Sequence, residues 1–180
     1  IKSSAASDVY KRQVKGGVDN IMTYSNAQFV VLGSGDWEYE QFFKEMQAKY
    51  PGRFVLCQGF VPELARKIYG GSDIFLMPSK SEPCGLSQMV ALRYGSIPVV
   101  RETGGLKDSI TDSGDGKGNG FTFQTYDTQD MLNSVHRAIY AYNESKDGWK
   151  VLVERAMACD NSWGRSANDY IRLYKQLINS

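Results

Sequence analysis

Glu82, a lone carboxylate, stands just ahead of three successive backbone donors, Gly85, Leu86 and Ser87, in the stretch Pro78-Ser79-Lys80-Ser81-Glu82-Pro83-Cys84-Gly85-Leu86-Ser87-Gln88. The stretch leaves an apolar strand and enters a helix. A helix start presents unpaired N–H groups and the positive end of the helix dipole, so residues 85–87 suit an anion such as a diphosphate. The Ser87 hydroxyl adds a donor, and Gly85, without a Cβ, permits close approach. Glu82 cannot receive a phosphate. Sugar hydroxyls are its natural partner there, and a sugar beside a diphosphate describes a nucleotide sugar. Capping of the following helix is the alternative that these residues alone leave open.

The flanking elements must bring this loop to a sheet edge. Asp73-Ile74-Phe75-Leu76-Met77 is apolar on both faces, as a strand covered by helices on both sides is, and Pro78 ends it. Leu86 to Tyr94 reads as a helix closed by Gly95. The loop therefore sits at a strand's carboxyl end, where open parallel sheets bind ligands. Upstream, Gln28-Phe29-Val30-Val31-Leu32 is a buried strand, and Gly33-Ser34-Gly35-Asp36 is a plain strand-to-helix turn because Glu38 replaces the third glycine of a dinucleotide fingerprint. The helix after it carries Trp37, Phe42, Phe43, Met46 and Tyr50 as expected core, and Pro51-Gly52 stops it. Arg53-Phe54-Val55-Leu56-Cys57 is the next strand, followed by Gly59, Phe60 and a Pro62-initiated helix. By its position Phe60 is either core or a ligand-facing ring.

Further along, Ile97-Pro98-Val99-Val100 is another buried strand, leading into Glu102-Thr103-Gly104-Gly105-Leu106 and a short helix. Thr111 to Gly120 alternates acidic residues with glycine but lacks the terminal Glu of an EF-hand loop, so a mobile surface loop is expected. Gly120 to Phe123 is a short strand. Three helices then close the chain, the first with a Met131, Leu132, Val135, Ala138, Ile139, Tyr142 stripe that leaves His136 off it, as an exposed residue. The other two, carrying Trp149, Val153 and Met157, and Trp163, Tyr170, Leu173 and Tyr174, are expected to be packed helices as well. Strands alternating with helices predict an α/β fold, a Rossmann-like doubly wound parallel sheet.

Composition excludes several classes. At 180 residues, 42% hydrophobic and 23% charged, the chain has the content of one ordinary soluble domain. A net charge of +1 leaves no electrostatic footprint for nucleic acid, and no apolar run reaches bilayer length. Cys57, Cys84 and Cys159 form neither a metal-like spacing nor an even count, which fits a reducing cytoplasm. Residues 1–13 lack amphipathic period and a signal-peptide core; they resemble translated adaptor sequence, and residues 14–180 form the expected domain.

Ser81-Glu82-Pro83-Cys84-Gly85-Leu86-Ser87-Gln88, then Leu92 to Pro98, Arg101 to Ser109, and Cys159-Asp160-Asn161-Ser162-Trp163 together resemble the nucleotide-sugar domain of bacterial glycogen synthase and plant starch synthase, over residues 18–180. The resemblance implies the C-terminal half of a GT-B fold, in a retaining hexosyltransferase that moves glucose from ADP-glucose to the non-reducing end of an α-1,4-glucan, with no cofactor and no metal. Glu82 becomes the catalytic candidate. Gly59, Phe60, Pro83, Cys84, Gly85, Leu86, Ser87, Thr103 and Gly104 become donor-binding candidates, Phe60 as the ring under the adenine. Lys15 is the one position for the family's phosphate-neutralising lysine, and the first strand with its loop reads as truncated. Val90, where many GT-B enzymes carry a second Glu, together with Cys84 and Gln88 favours the glycogen and starch synthase branch. The implied N-terminal domain, which would carry the acceptor site, is expected to be required for turnover, so the 180-residue chain is expected to be inactive alone. A related enzyme with another sugar nucleotide, or a non-catalytic nucleotide- or glucan-binding module, is the alternative reading.

Overall fold

The computed structural model describes residues 9–59 and 61–178. Among them the chain alternates helices and strands. The order is α1 (Val9–Tyr24), β1 (Phe29–Gly33), α2 (Trp37–Lys49), β2 (Phe54–Gln58), α3 (Pro62–Gly71), β3 (Ile74–Met77), α4 (Ser87–Tyr94), β4 (Ile97–Arg101) and α5 (Gly105–Ser109), then a single 3-10 turn at Ser113–Asp115, β5 (Phe121–Phe123), α6 (Thr128–Glu144), α7 (Lys146–Met157) and α8 (Trp163–Ile178).

Every strand pair is parallel, as short apolar runs separated by helices require. β1 pairs with β2, Val31 opposite Leu56. β3 pairs with β4 and β4 with β5, with Phe75 opposite Pro98 and Val100 opposite Thr122. Pro98 lacks an N–H yet occupies the middle strand of three. No ladder joins β1 to β3 among the described residues, so the strands form a two-stranded and a three-stranded sheet. A cleft of about 500 Å³ opens between them, lined on one side by Ala27, Gln28 and Val30 and on the other by Asp73 and Ile74. Helix α1 lies against α2 and α6, while α4 lies against α3, α5 and α7. One apolar cluster runs through all these elements, from Val18, Ile21 and Met22 of α1 through Phe75, Val99 and Leu106 to Met131 and Val135 of α6, each fully buried.

Helix α1 was not expected from the sequence. It begins at Val9, inside the stretch set apart above, and buries Val14, Val18, Ile21 and Met22 at helical spacing. Residues 1–8 lie outside the described residues. Three other expectations are corrected. Trp37 is 75% exposed, because it opens α2 on the solvent side, and only Phe43 and Met46 of that helix are buried. His136 is half-buried, its Nε2 2.8 Å from Asn20 Oδ1, and so ties α6 to α1. The glycine-rich segment 111–120 is fastened: Asn119 N and Gly120 N donate to Thr111 O, Ser113 N donates to Gly120 O, and Gly118 is buried against the Asp112 backbone.

Asp112 anchors that segment. Burial works against its charge, but Arg137 at 2.5 Å and the N–H groups of Thr122 and Gly114 outweigh it and hold the carboxyl below its ordinary value of 3.8. A depressed folded pKa gives stability that is present above the unfolded value and lost as pH falls through the folded one. Acid titration of the fold, followed by circular dichroism, should show stability declining below about pH 4. Asp112→Asn should flatten part of that decline; an unchanged profile would remove Asp112 from the account.

No residue of helix α8 is buried. Its apolar face, with Trp163, Tyr170, Leu173, Tyr174 and Leu177, is exposed along its length, contrary to the expectation of a packed helix.

Candidate active site

The site is built where β3, β4 and β5 end. These strands are parallel, so residues 78–86, 102–104 and 124–127 leave the same edge of one sheet. Phe75, Leu76 and Met77 are buried, and burial persists through Ser79, after which the chain turns outward. Glu82 is half-buried, Pro83 and Cys84 are exposed, and Leu86 is 70% exposed.

Gly85 adopts φ +71°, which side-chain-bearing residues rarely take. A Cβ there would also stand 2.5 Å from Gln88 Oε1. Its glycine is thus required by the turn and by Gln88, whatever approaches from outside. Leu86 holds the N-cap position of α4 and brings no polar side chain to cap it, so the first N–H groups of this helix lack a cap from that residue. Gly95, in the left-handed conformation, closes the helix at the other end.

Sequence reasoning gave Gln88 weight only as a family marker and missed its place in the site. Fully buried, its Nε2 donates to Cys84 O at 3.2 Å, Gly85 O at 2.8 Å and Ser109 Oγ at 3.1 Å. Ser109 Oγ in turn donates to Gly105 O at 2.6 Å. One amide therefore joins the loop before α4 to α5. The available signal was a glutamine among apolar residues on an amphipathic helix.

The second contact between these segments is backbone on backbone. Gly105 N donates to Glu82 O at 3.1 Å. A Cβ on Gly104 would lie 2.1 Å from Glu82 O, and one on Gly105 2.1 Å from Cys84 O. Only two adjacent glycines permit this approach. Thr103 is half-buried, its N–H donating to Arg101 O at 2.9 Å. Glu82, Cys84 and Gly85 are thus brought against the Thr103 to Gly105 turn.

Gly59 stands apart, at the end of β2 in the other sheet. It has φ +98° with open space where a Cβ would be. Phe60 lies outside the described residues. Lys15 meets Glu38 at 2.7 Å, which raises its pKa above the ordinary value. The described residues hold no group of three His, Cys, Asp or Glu arranged for a metal ion.

The parallel α/β arrangement, with its loops leaving the carboxyl edge of the strands, is that of the C-terminal half of a GT-B glycosyltransferase fold. The chain belongs to the glycosyl transferases group 1 family, whose model matches residues 10–148. Within that family it is similar to glycogen and starch synthases. It is 52% identical over 159 residues to the glycogen synthase of Geobacillus thermodenitrificans, covering 87% of this chain and 33% of that protein. With the glycogen synthase of Pseudothermotoga lettingae it shares 49% over 163 residues, 89% of this chain and 33% of the other. The catalytic domain of starch synthase IV from Arabidopsis thaliana, solved bound to ADP and acarbose, superposes with TM-score 0.83 and 34% identity over 99% of this chain and 38% of that one. Sucrose-phosphate synthase from Thermosynechococcus elongatus shares the fold, with TM-score 0.65 at 20% identity over 94% of this chain and 42% of the other. The chain spans about a third of the length of the curated relatives it matches.

Proposed function

We propose that this chain is the donor-binding part of a retaining glucosyltransferase that extends an α-1,4-glucan at its non-reducing end from ADP-glucose. The observation that carries the reading is the pairing of Glu82 with the helix start at Gly85 to Ser87, fixed to the Gly104-Gly105 turn by the bond from Gly105 N to Glu82 O. The diphosphate sits on the N–H groups of residues 85–87, where the helix start stabilises charge developing on the leaving group. Glu82 orients the glucose through its hydroxyls and offsets positive character at the ring, while the glucan 4-hydroxyl attacks on the face the diphosphate leaves. Pro83 and Cys84 shape the approach, Thr103 and Gly104 support it, and Gly59 with Phe60 receives the base by stacking. Lys15 is available for the phosphates once it exchanges Glu38 for them. The ADP-containing starch synthase supports the choice of base, since that protein is 34% identical to this chain.

The acceptor site belongs to the remaining length of the enzyme, and the exposed apolar face of α8 is the surface through which this part joins it. Such an enzyme works in the cytoplasm. Turnover requires both parts, so the 180-residue chain binds donor without transfer. Titrating labelled chain with ADP, UDP and GDP, and following the amides of Gly59, Phe60, Gly85, Leu86 and Ser87, tests the reading. Clustered shifts largest with ADP are expected. A preference for UDP or GDP would transfer the site to another sugar nucleotide, and shifts with glucans alone would make it a binding module.

A further inference from the structure

We infer that Arg101 is a positioning residue for the donor loop, acting through backbone carbonyls on two neighbouring loops. Arg101 ends β4, between the loops that follow β3 and β5. Its Nε donates to Ser79 O at 2.8 Å, one terminal nitrogen donates to Lys80 O, and the other donates to Gln124 O at 3.2 Å. The guanidinium also lies 5.8 Å from the centre of the Tyr126 ring. A planar fork is the side chain that can span three carbonyls held at fixed angles; a lysine ammonium is a point donor on a flexible stem.

The far end of this span is itself anchored. Asp130, in the first turn of α6, accepts from Thr125 Oγ1 at 2.7 Å, Thr125 N at 2.8 Å and Gln124 N at 3.1 Å. A continuous path thus runs from Asp130 through Gln124 to Arg101, and on to Ser79 and Lys80, three and two residues before Glu82. The Glu82 to Gly85 segment is held from the other side by Gly105 and Gln88. Arg101 therefore sets where the loop departs from β3, while the glycine turn sets where it enters α4. With the departure released, Glu82 and the 85–87 donors no longer share a fixed frame.

The inference rests on the donor-site reading of residues 85–87, and the experiment separates the two. Amide spectra and nucleotide affinities of the 180-residue chain are measured for the parent, Arg101→Gln, Arg101→Lys, Asp130→Ala and the double variant Arg101→Gln/Asp130→Ala, each checked for cooperative thermal unfolding. Arg101→Gln is expected to shift the amides of Ser79 to Ser87 before any nucleotide is added and to weaken ADP at least tenfold. Arg101→Lys is expected to give little rescue. Asp130→Ala is expected to weaken ADP about threefold, and the double variant no more than Arg101→Gln alone, since residues on one path are not additive. Rescue by lysine would make Arg101 a point-charge ligand of the phosphates and overturn the inference, as would a weakened ADP affinity with unshifted loop amides in Arg101→Gln. Absence of ADP shifts at Gly85 to Ser87 in the parent would sink the donor-site reading instead, with the nucleotide-free loop shifts still deciding the role of Arg101.

Discussion

Gly105→Ala is expected to destabilise the chain by about 3 kcal/mol and to abolish nucleotide binding at residues 85–87. The added Cβ would fall 2.1 Å from Cys84 O and 2.6 Å from both Cys84 C and Cys84 Cα. These are backbone atoms, so no side-chain rotation relieves the clash, and the loop must retreat from α5. Retreat breaks the bond from Gly105 N to Glu82 O and pulls on the three bonds made by the buried Gln88 amide. Stranding buried polar groups costs further free energy. For a domain of this size the loss corresponds to a fall of roughly 6 to 12 °C in Tm. Gly71→Ala is the matched control, because nothing lies within 4 Å of its Cβ position and it ends α3 without a positive φ. That change should be neutral or slightly stabilising. Calorimetry of both variants with ADP titration decides the matter: equal Tm values would show that the two loops are not locked together through this glycine.

Glu82→Gln, placed in the full-length enzyme, is expected to lower the rate of glucosyl transfer by roughly 10² to 10³ while leaving donor affinity within a few-fold of its starting value. The backbone anchor of this residue is its carbonyl, which accepts from Gly105 N whatever the side chain is. Glutamine keeps the shape and the capacity to meet sugar hydroxyls but removes the charge. A loss confined to kcat therefore reports on charge developed in the transition state, whereas an equal loss in donor binding would report on ground-state contacts. Labelled glucose incorporation into a glucan measures the first, and nucleotide titration the second. Full transfer by the glutamine variant would remove Glu82 from the catalytic role.

The elements of the sheet were legible because short apolar runs ended by Pro or Gly have few other readings. β3 and its loop are the clearest case, with Pro78, Gly85 and Gly95 marking each change of direction. The N-terminal helix was present in the sequence as Val14, Val18, Ile21 and Met22, but the unfamiliar residues before it hid the period. Periodicity reports that a face is apolar without saying what covers it. That is why Trp37 was misjudged as core, and why the packing expected of α8 is not met within the described residues. At the site, Glu82 and the 85–87 donors could be read from type and order, whereas the fit of Gly104 and Gly105 against residues 82–84 joins positions about twenty apart and exists only in three dimensions. Arg101 gave no signal at all: its three acceptors are main-chain oxygens, which every sequence possesses.

The cleft between the two sheets has a consequence for handling the chain. Phe29 N is bonded to Arg53 O, so on β1 the alternate residues Val30 and Leu32 turn their peptide groups away from β2, toward the gap. The same alternation on β3 turns Ile74 and Leu76 away from β4. Val30 and Ile74 line the cleft, but Leu32 and Leu76 are buried, so these strand edges are covered by packing and become accessible only when the core opens. Partial unfolding that parts the two sheets would bare two unpaired edges at once, and conditions that loosen the core are the ones to avoid when the chain is concentrated.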